Sequence, residues 1–298
     1  MFVPLLAFFQ LALCVVARIS GDVYSTDPNV YELTPANFDK VVYRSNYTSI
    51  VKFYAPWCGY CQRLEPVWRK MARFLHQDGK YAVNVASVNC DSDRNKALCS
   101  KHRIQGFPTV IVFRPPKWKS GATKNSASHV PEVYNGERAL GPMIEFVSSR
   151  IKNYVKKFHR FDGDSLSEWL SDTSSPRVFL MSSSPSITPL YKTMAIDFLG
   201  SASLGMITLK ETPSEAHVDV DGVKVTFPLK PEDKLPLLFL YKPEEHRFIR
   251  YKGKNLKNKQ KIEQWLIDET GTAPGEGVLS KKDKKYYSKY RGHAKDEL

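Results

Sequence analysis

Only five cysteines are spread over the 298 residues, and the stretch 160–270 holds none. A disulfide-dense scaffold is therefore excluded. The single Cys-x-x-Cys, at Cys58 and Cys61, supplies half of the four ligands a structural zinc site needs, so no metal is expected. Charge is missing from residues 1–17, a run rich in Leu, Phe, Val and Ala. That run is marginally short for a bilayer span, and Val15 and Ala17 are the small residues a signal peptidase favours. A signal peptide over 1–17, cut near Ala17, is the expectation. No other segment is long and apolar enough to span a membrane. Acidic side chains are fewer than basic ones, 31 against 44, which leaves a net charge of +13. Such an excess is the usual footprint of nucleic-acid binding. A secreted chain meets no nucleic acid. Lys281, Lys282, Lys284, Lys285, Lys289 and Arg291 hold much of the excess, and read as a solvated flexible tail over 271–298. Capture of acidic unfolded clients is the sharper alternative.

The two ends of the chain agree on a compartment. Lys295-Asp296-Glu297-Leu298 is an address read by an endoplasmic-reticulum retrieval receptor. Asn46-Tyr47-Thr48 is a glycosylation sequon and fits a lumenal location. Loss of Cys14 with the signal leaves Cys58, Cys61, Cys90 and Cys99, an even count for an oxidising lumen.

The chemistry centres on the Cys-x-x-Cys. Ser49 to Tyr54 reads as a buried strand of β-branched and aromatic residues, broken by Ala55-Pro56-Trp57. Apolar positions Leu64, Val67, Trp68, Met71, Phe74 and Leu75 then predict a helix from Cys58 to about Leu75, with Pro66 inside it. Cys58 thus stands at a helix N-terminus, where free N–H groups and the dipole favour a thiolate. A thiolate is the species that attacks a disulfide. Cys61, one turn inward and less accessible, is the resolving thiol, with Gly59 and Tyr60 in the turn between them. A purely structural Cys58–Cys61 disulfide fits this context less well.

The run Phe53-Tyr54-Ala55-Pro56-Trp57-Cys58-Gly59-Tyr60-Cys61 resembles the active-site run of the protein disulfide isomerase family. Gly106-Phe107-Pro108-Thr109 and Tyr134-Asn135-Gly136-Glu137-Arg138 resemble its second and third elements. The match covers roughly 30–155, and the later layout is most similar to the small fungal members with one redox-active domain. The resemblance implies an α/β thioredoxin-like fold over 28–157. It further implies a cis bond before Pro108, with the Phe107 backbone binding an extended client strand beside Cys58. Arg138 matches the family arginine that swings toward the second cysteine. Cys90 and Cys99 resemble a structural disulfide of some members. No cofactor is implied. The implied partners are unfolded or misoxidised secretory proteins, and a lumenal thiol oxidase or glutathione to reset the pair.

Two positions depart from the family. Tyr60 stands where His is usual, so an imidazolium that stabilises the thiolate is replaced by a phenol offering a hydrogen bond. Lys52 stands where a buried Glu is usual, and Ser87 where its Lys partner is usual. Lys52 either accepts the Cys61 proton as a desolvated amine or snorkels to water and does nothing.

Residues 160–270 repeat the order strand, helix, strand, proline, hairpin, helix. Strands are expected over Arg177–Ser182 and Ser203–Leu209, with helices over Thr188–Leu199 and Asn258–Thr270. This predicts a second thioredoxin-like domain without redox chemistry. The leading function is oxidation, reduction and rearrangement of client disulfides. The rival is a chaperone or adaptor whose redox activity is secondary.

Overall fold

The computed structural model describes residues 21–78, 81–119, 129–253 and 255–275. The expected signal peptide, residues 276–298 of the expected tail and, within them, the Lys295–Leu298 address lie outside the described residues.

Two five-stranded mixed sheets follow one another along the chain. The first contains β1 (Tyr31–Glu32), β2 (Thr48–Tyr54), β3 (Val83–Asn89), β4 (Thr109–Arg114) and β5 (Val130–Val133), in the order β1-β3-β2-β4-β5. The first three run parallel, and β4 and β5 are antiparallel to their neighbours. All seven residues of β2 are buried, as in a central strand covered on both faces. The period-two pleat divides them. Ile50 and Tyr54 face α2 (Gly59–Arg73) and α4 (Leu140–Ser149), while Val51 and Phe53 face α1 (Pro35–Phe38) and α3 (Lys96–Lys101).

The second sheet has the same topology. β6 (Lys156–Phe158), β7 (Arg177–Ser182), β8 (Ser203–Thr208), β11 (Leu237–Lys242) and β12 (Arg247–Arg250) lie in the order β12-β11-β7-β8-β6. The helices α6 (Pro189–Asp197) and α7 (Lys259–Thr270) cover one face with Tyr191, Met194, Ile262 and Leu266. The other face is closed by α5 (Asp164–Ser171) and a hairpin of β9 (His217–Val220) and β10 (Val223–Thr226). Asp221 and Gly222 both have positive φ in that two-residue turn, the conformation that makes Asp-Gly a hairpin signal.

The expected elements form with shifts at their ends. The α4 helix stops at Ser149, beyond which the chain turns to start the edge strand β6. Pro131 lies in β5, an edge strand that tolerates a missing N–H.

The two halves touch. The Thr193 hydroxyl accepts a hydrogen bond from the Ala82 amide at 2.8 Å. The Tyr47 hydroxyl donates to Asp197, which also pairs with Lys259. Ile196 packs into the first core. Gly200, at φ +76°, leaves room for the Trp118 ring, which an added Cβ would meet at 3.1 Å. Among the described residues no helix is long and apolar enough to cross a membrane.

Candidate active site

The β2 strand ends at Tyr54, and the chain turns at Ala55-Pro56-Trp57 into α2. Cys58 is the N-cap of that helix, in extended backbone, and its sulfur accepts the Cys61 amide at 3.4 Å. Both cysteines are free thiols and largely buried, 8% and 3% exposed. Gly59 is the first helical residue, where a Cβ would meet only the end of the Arg63 side chain, so no turn demands glycine there.

The loop opposite carries the cis bond Phe107-Pro108. The Cys58 thiol donates to the Phe107 carbonyl at 3.5 Å. The Arg138 guanidinium donates to the Pro108 carbonyl at 3.1 Å and so holds this loop, not the second cysteine. Trp57 is 67% exposed, meets Phe107 edge to face, and anchors its indole N–H on Asp91 at 2.9 Å. The site is thus a pair of sulfurs at a helix start, rimmed by an exposed aromatic side chain and an extended backbone segment.

Tyr60 does not meet the expected role. Its ring is 64% exposed and lies under the Arg63 guanidinium at 4.3 Å, turned to solvent and not to the Cys58 sulfur. The snorkelling alternative for Lys52 is also excluded, since the side chain is 1% exposed. Its Nζ donates to the Tyr24 hydroxyl and sits over the rings of Tyr24, Tyr54 and Trp68 at 4.4, 5.2 and 5.7 Å. Desolvation brings the Lys52 ammonium down to about 8, against the opposing pull of Cys61, Glu65 and Glu32. Burial pushes the Cys61 thiol up to about 12, the hydrogen bond with Cys58 adds to this, and Lys52 opposes it.

Strand register places a different acid in line with Lys52. Lys52 pairs with Ser87 on β3, and Ser87 pairs with Glu32 on β1. Glu32 accepts from the Tyr54 hydroxyl at 3.0 Å and the Tyr24 amide at 3.1 Å. Burial raises its carboxyl to about 7. Tyr24 and Glu32 escaped the sequence reading. Neither lies near the cysteines in sequence, and only the register of a two-residue strand brings Glu32 into line.

Cys90 and Cys99 are joined by a disulfide, nine residues apart, between the end of β3 and α3. Asn46 corrects an expectation. It is 1% exposed, and Thr48 of its sequon is equally buried, donating to the Arg150 carbonyl at 3.0 Å. A glycan on Asn46 is incompatible with this packing.

Residues 29–131 match the Thioredoxin family. The chain is 38% identical over 273 residues to Protein disulfide-isomerase MPD1 of Saccharomyces cerevisiae, covering 87% of this chain and 84% of the yeast protein. It is 30% identical to a putative protein disulfide-isomerase of Dictyostelium discoideum, over 84% of this chain and 54% of that one. Protein disulfide-isomerase A6 of Mesocricetus auratus matches at 38% identity over 50% of this chain and 30% of its own length. Against those two the chain spans about half the length or less, whereas it spans most of the yeast relative. The chain belongs to the protein disulfide-isomerase family, and is a thiol–disulfide oxidoreductase/isomerase built on thioredoxin-fold units.

Proposed function

We propose that Cys58 attacks client disulfides, that Cys61 resolves the mixed disulfide so formed, and that the chain works in the endoplasmic reticulum lumen. One observation carries this reading: the Cys58 sulfur caps a helix and faces the Phe107 carbonyl of the cis-proline loop. An extended client strand hydrogen-bonded to the Phe107 backbone brings its own sulfur to Cys58. Trp57 offers the exposed apolar surface such a strand needs. The clients are unfolded or misoxidised secretory proteins, and a thiol oxidase or glutathione resets the cysteine pair. The terminal Lys295–Leu298 address and the apolar start of the chain support the lumen. The test is reactivation of scrambled ribonuclease by wild type and by a Cys58→Ala/Cys61→Ala variant. Loss of reactivation in the variant is the expected result. A variant that still reactivates, or a wild type that only suppresses aggregation, favours the chaperone reading.

A further inference from the structure

We propose that Arg63, laid across the exposed ring of Tyr60, reads client charge beside the reacting cysteine, so that the site favours disulfides whose cysteine is flanked by Asp or Glu. The inference rests on the reading of Cys58 as the attacking sulfur, and it names the clients which that sulfur prefers.

The placement follows from helix geometry. Residues three apart on a helix share one face, and long side chains tilt back over the turn before their own Cα. Cys61, Leu64 and Trp68 form the buried stripe of α2. Tyr60 and Arg63, the residues before Cys61 and Leu64, form a neighbouring stripe that is exposed. Arg63 therefore reaches back over the first turn, and its guanidinium carbon lies 4.3 Å from the centre of the Tyr60 ring. The same tilt carries one guanidinium nitrogen to Gly59, where an added Cβ would meet Arg63 Nη1 at 3.8 Å. Gly59 directly follows Cys58, so the positive charge stands beside the residue next to the attacking sulfur.

That charge is uncommitted. Two turns further along α2, Arg69 is locked to Glu65 at 3.0 Å and to Asp27 at 2.5 Å. Arg138 spends its guanidinium on the Pro108 carbonyl. Among the described residues Arg63 has an aromatic ring as its partner and no carboxylate. A ring attracts the cation without neutralising it, so the planar fork stays open for a carboxylate. The ring also restrains a long side chain in advance, and less freedom is lost when the ion pair forms. On the other side of Cys58 in the chain the sign is opposite, and the group is occupied: Asp91 accepts the Trp57 indole N–H at 2.9 Å. Of the two charges held on the exposed aromatic residues next to Cys58, the guanidinium is the one without a hydrogen-bond partner in the protein, so the open capacity at the rim is for an anion.

Recognition of this kind acts at encounter. It changes how often a client disulfide is held beside Cys58 and leaves the sulfur chemistry as it is. It is also distinct from the pull of the whole chain. A net charge of +13 attracts acidic clients wherever along their length the charge lies. Contact with Arg63 depends on position, because the carboxylate must sit next to the cysteine that Cys58 attacks.

The test uses the reduced full-length chain and disulfide-linked peptides of one sequence, with the residues flanking the cysteine all Glu, all Gln or all Lys. A further peptide has Gln at the flanks and carries the same Glu residues at its far end. Each second-order rate constant is divided by that of the same peptide with dithiothreitol, which removes the intrinsic effect of a charge on its disulfide. For wild type the flanking-Glu peptide is expected to react about tenfold faster than the Lys peptide at low salt, with Gln between them and the ratio shrinking at high salt. The far-end Glu peptide is expected to behave like the Gln peptide. Arg63→Gln is expected to bring the Glu-to-Lys ratio within about twofold. Tyr60→Phe keeps the ring and should retain the ratio, whereas Tyr60→Ala should lower it. A wild-type ratio near one overturns the proposal, as does a ratio that survives Arg63→Gln while all rates fall together, the mark of a merely structural arginine. Far-end Glu that works as well as flanking Glu also overturns it, in favour of net charge. Failure of every peptide to form an adduct with Cys58 overturns the underlying reading, which none of the other results does.

Discussion

The two sheets share one topology, and only the first is followed by a Cys-x-x-Cys at a helix start. Register aligns them residue by residue. In the first, Lys52 pairs with Val110, two residues after the cis-proline Pro108. In the second, Leu180 pairs with Leu238, two residues after the cis-proline Pro236. The row Lys52–Ser87–Glu32 therefore corresponds to Leu180–Met206–Lys157. At the helix start, the Cys58 sulfur accepts the Cys61 amide, and the Thr188 hydroxyl accepts the Tyr191 amide at 3.3 Å. Threonine is simply a good N-cap. At the position matching Cys61, the buried Tyr191 hydroxyl donates to the Gly205 carbonyl at 2.9 Å, with the Val178 carbonyl also within reach at 3.2 Å. An apolar cleft of about 650 Å³ remains there, walled by Thr188, Tyr191, Pro236 and Leu238, with Phe74 and Tyr81 of the first half. The backbone frame is common to both halves. The redox site is a handful of side chains added to it.

The strongest break of this comparison is Leu180→Lys. Leu180 is buried against Met206 and Leu238 and borders the apolar cleft, whose described lining has no carboxylate and includes Lys257, so the new ammonium would enter an apolar wall beside a like charge. The expected cost is about 3–5 kcal/mol, read from the urea midpoint of the full chain. A cost within the range of surface changes would mean that buried lysine needs no special cradle here, and that Tyr24 is incidental. The covalent staple comes next. The first half has the Cys90–Cys99 bond, and the second has no cysteine to match it. Replacing both by alanine is expected to cost about 2–3 kcal/mol from loop-closure entropy, with little effect on initial transfer rate.

Lys52→Met makes the first half resemble the second, and should stabilise it. Lys52 is lowered from 10.5 to about 8 on folding. Below about pH 8 both folded and unfolded chains carry the ammonium, and its burial penalty is felt in full. Between 8 and 10.5 the folded chain holds the neutral amine, so wild-type stability rises with pH. The variant should therefore be more stable by about 1–3 kcal/mol at pH 7, with the advantage shrinking towards pH 10. Denaturation curves at the two values check both size and sign. The smallest effect is expected for Tyr60→His. With Tyr60 turned to solvent over Arg63, an imidazole there is expected to speed Cys58 alkylation at pH 6–7 by less than about tenfold.

Strand and helix identity was legible because burial imposes periodicity. The β7 strand occupies the residues its pattern predicts, Arg177–Ser182. The redox pair was legible because its chemistry is local: strand, break, helix start and two thiols within thirteen residues of sequence, Ser49 to Cys61. Short edge strands were not. Tyr31–Glu32 and Lys156–Phe158 are two and three residues long and exist through pairing, with no pattern of their own. The β9–β10 hairpin did have a signal, Asp221-Gly222 between alternating valines. The surroundings of Lys52 had none, because Tyr24, Glu32 and Trp68 come from an irregular segment, a two-residue strand and a helix far apart in sequence. Asn46 shows the converse: a sequon is a local pattern, and burial is decided by the whole fold.

The division of labour between the two thiols is tested most directly by trapping. Cys61→Ala and Cys58→Ala are each incubated with a reduced, unfolded client under mild oxidation, quenched by alkylation and resolved without reductant. The account predicts that Cys61→Ala accumulates a client adduct through Cys58, and that Cys58→Ala, with its remaining thiol 3% exposed, does not. Adducts of equal yield in the two variants, or an adduct through Cys61 alone, would contradict it.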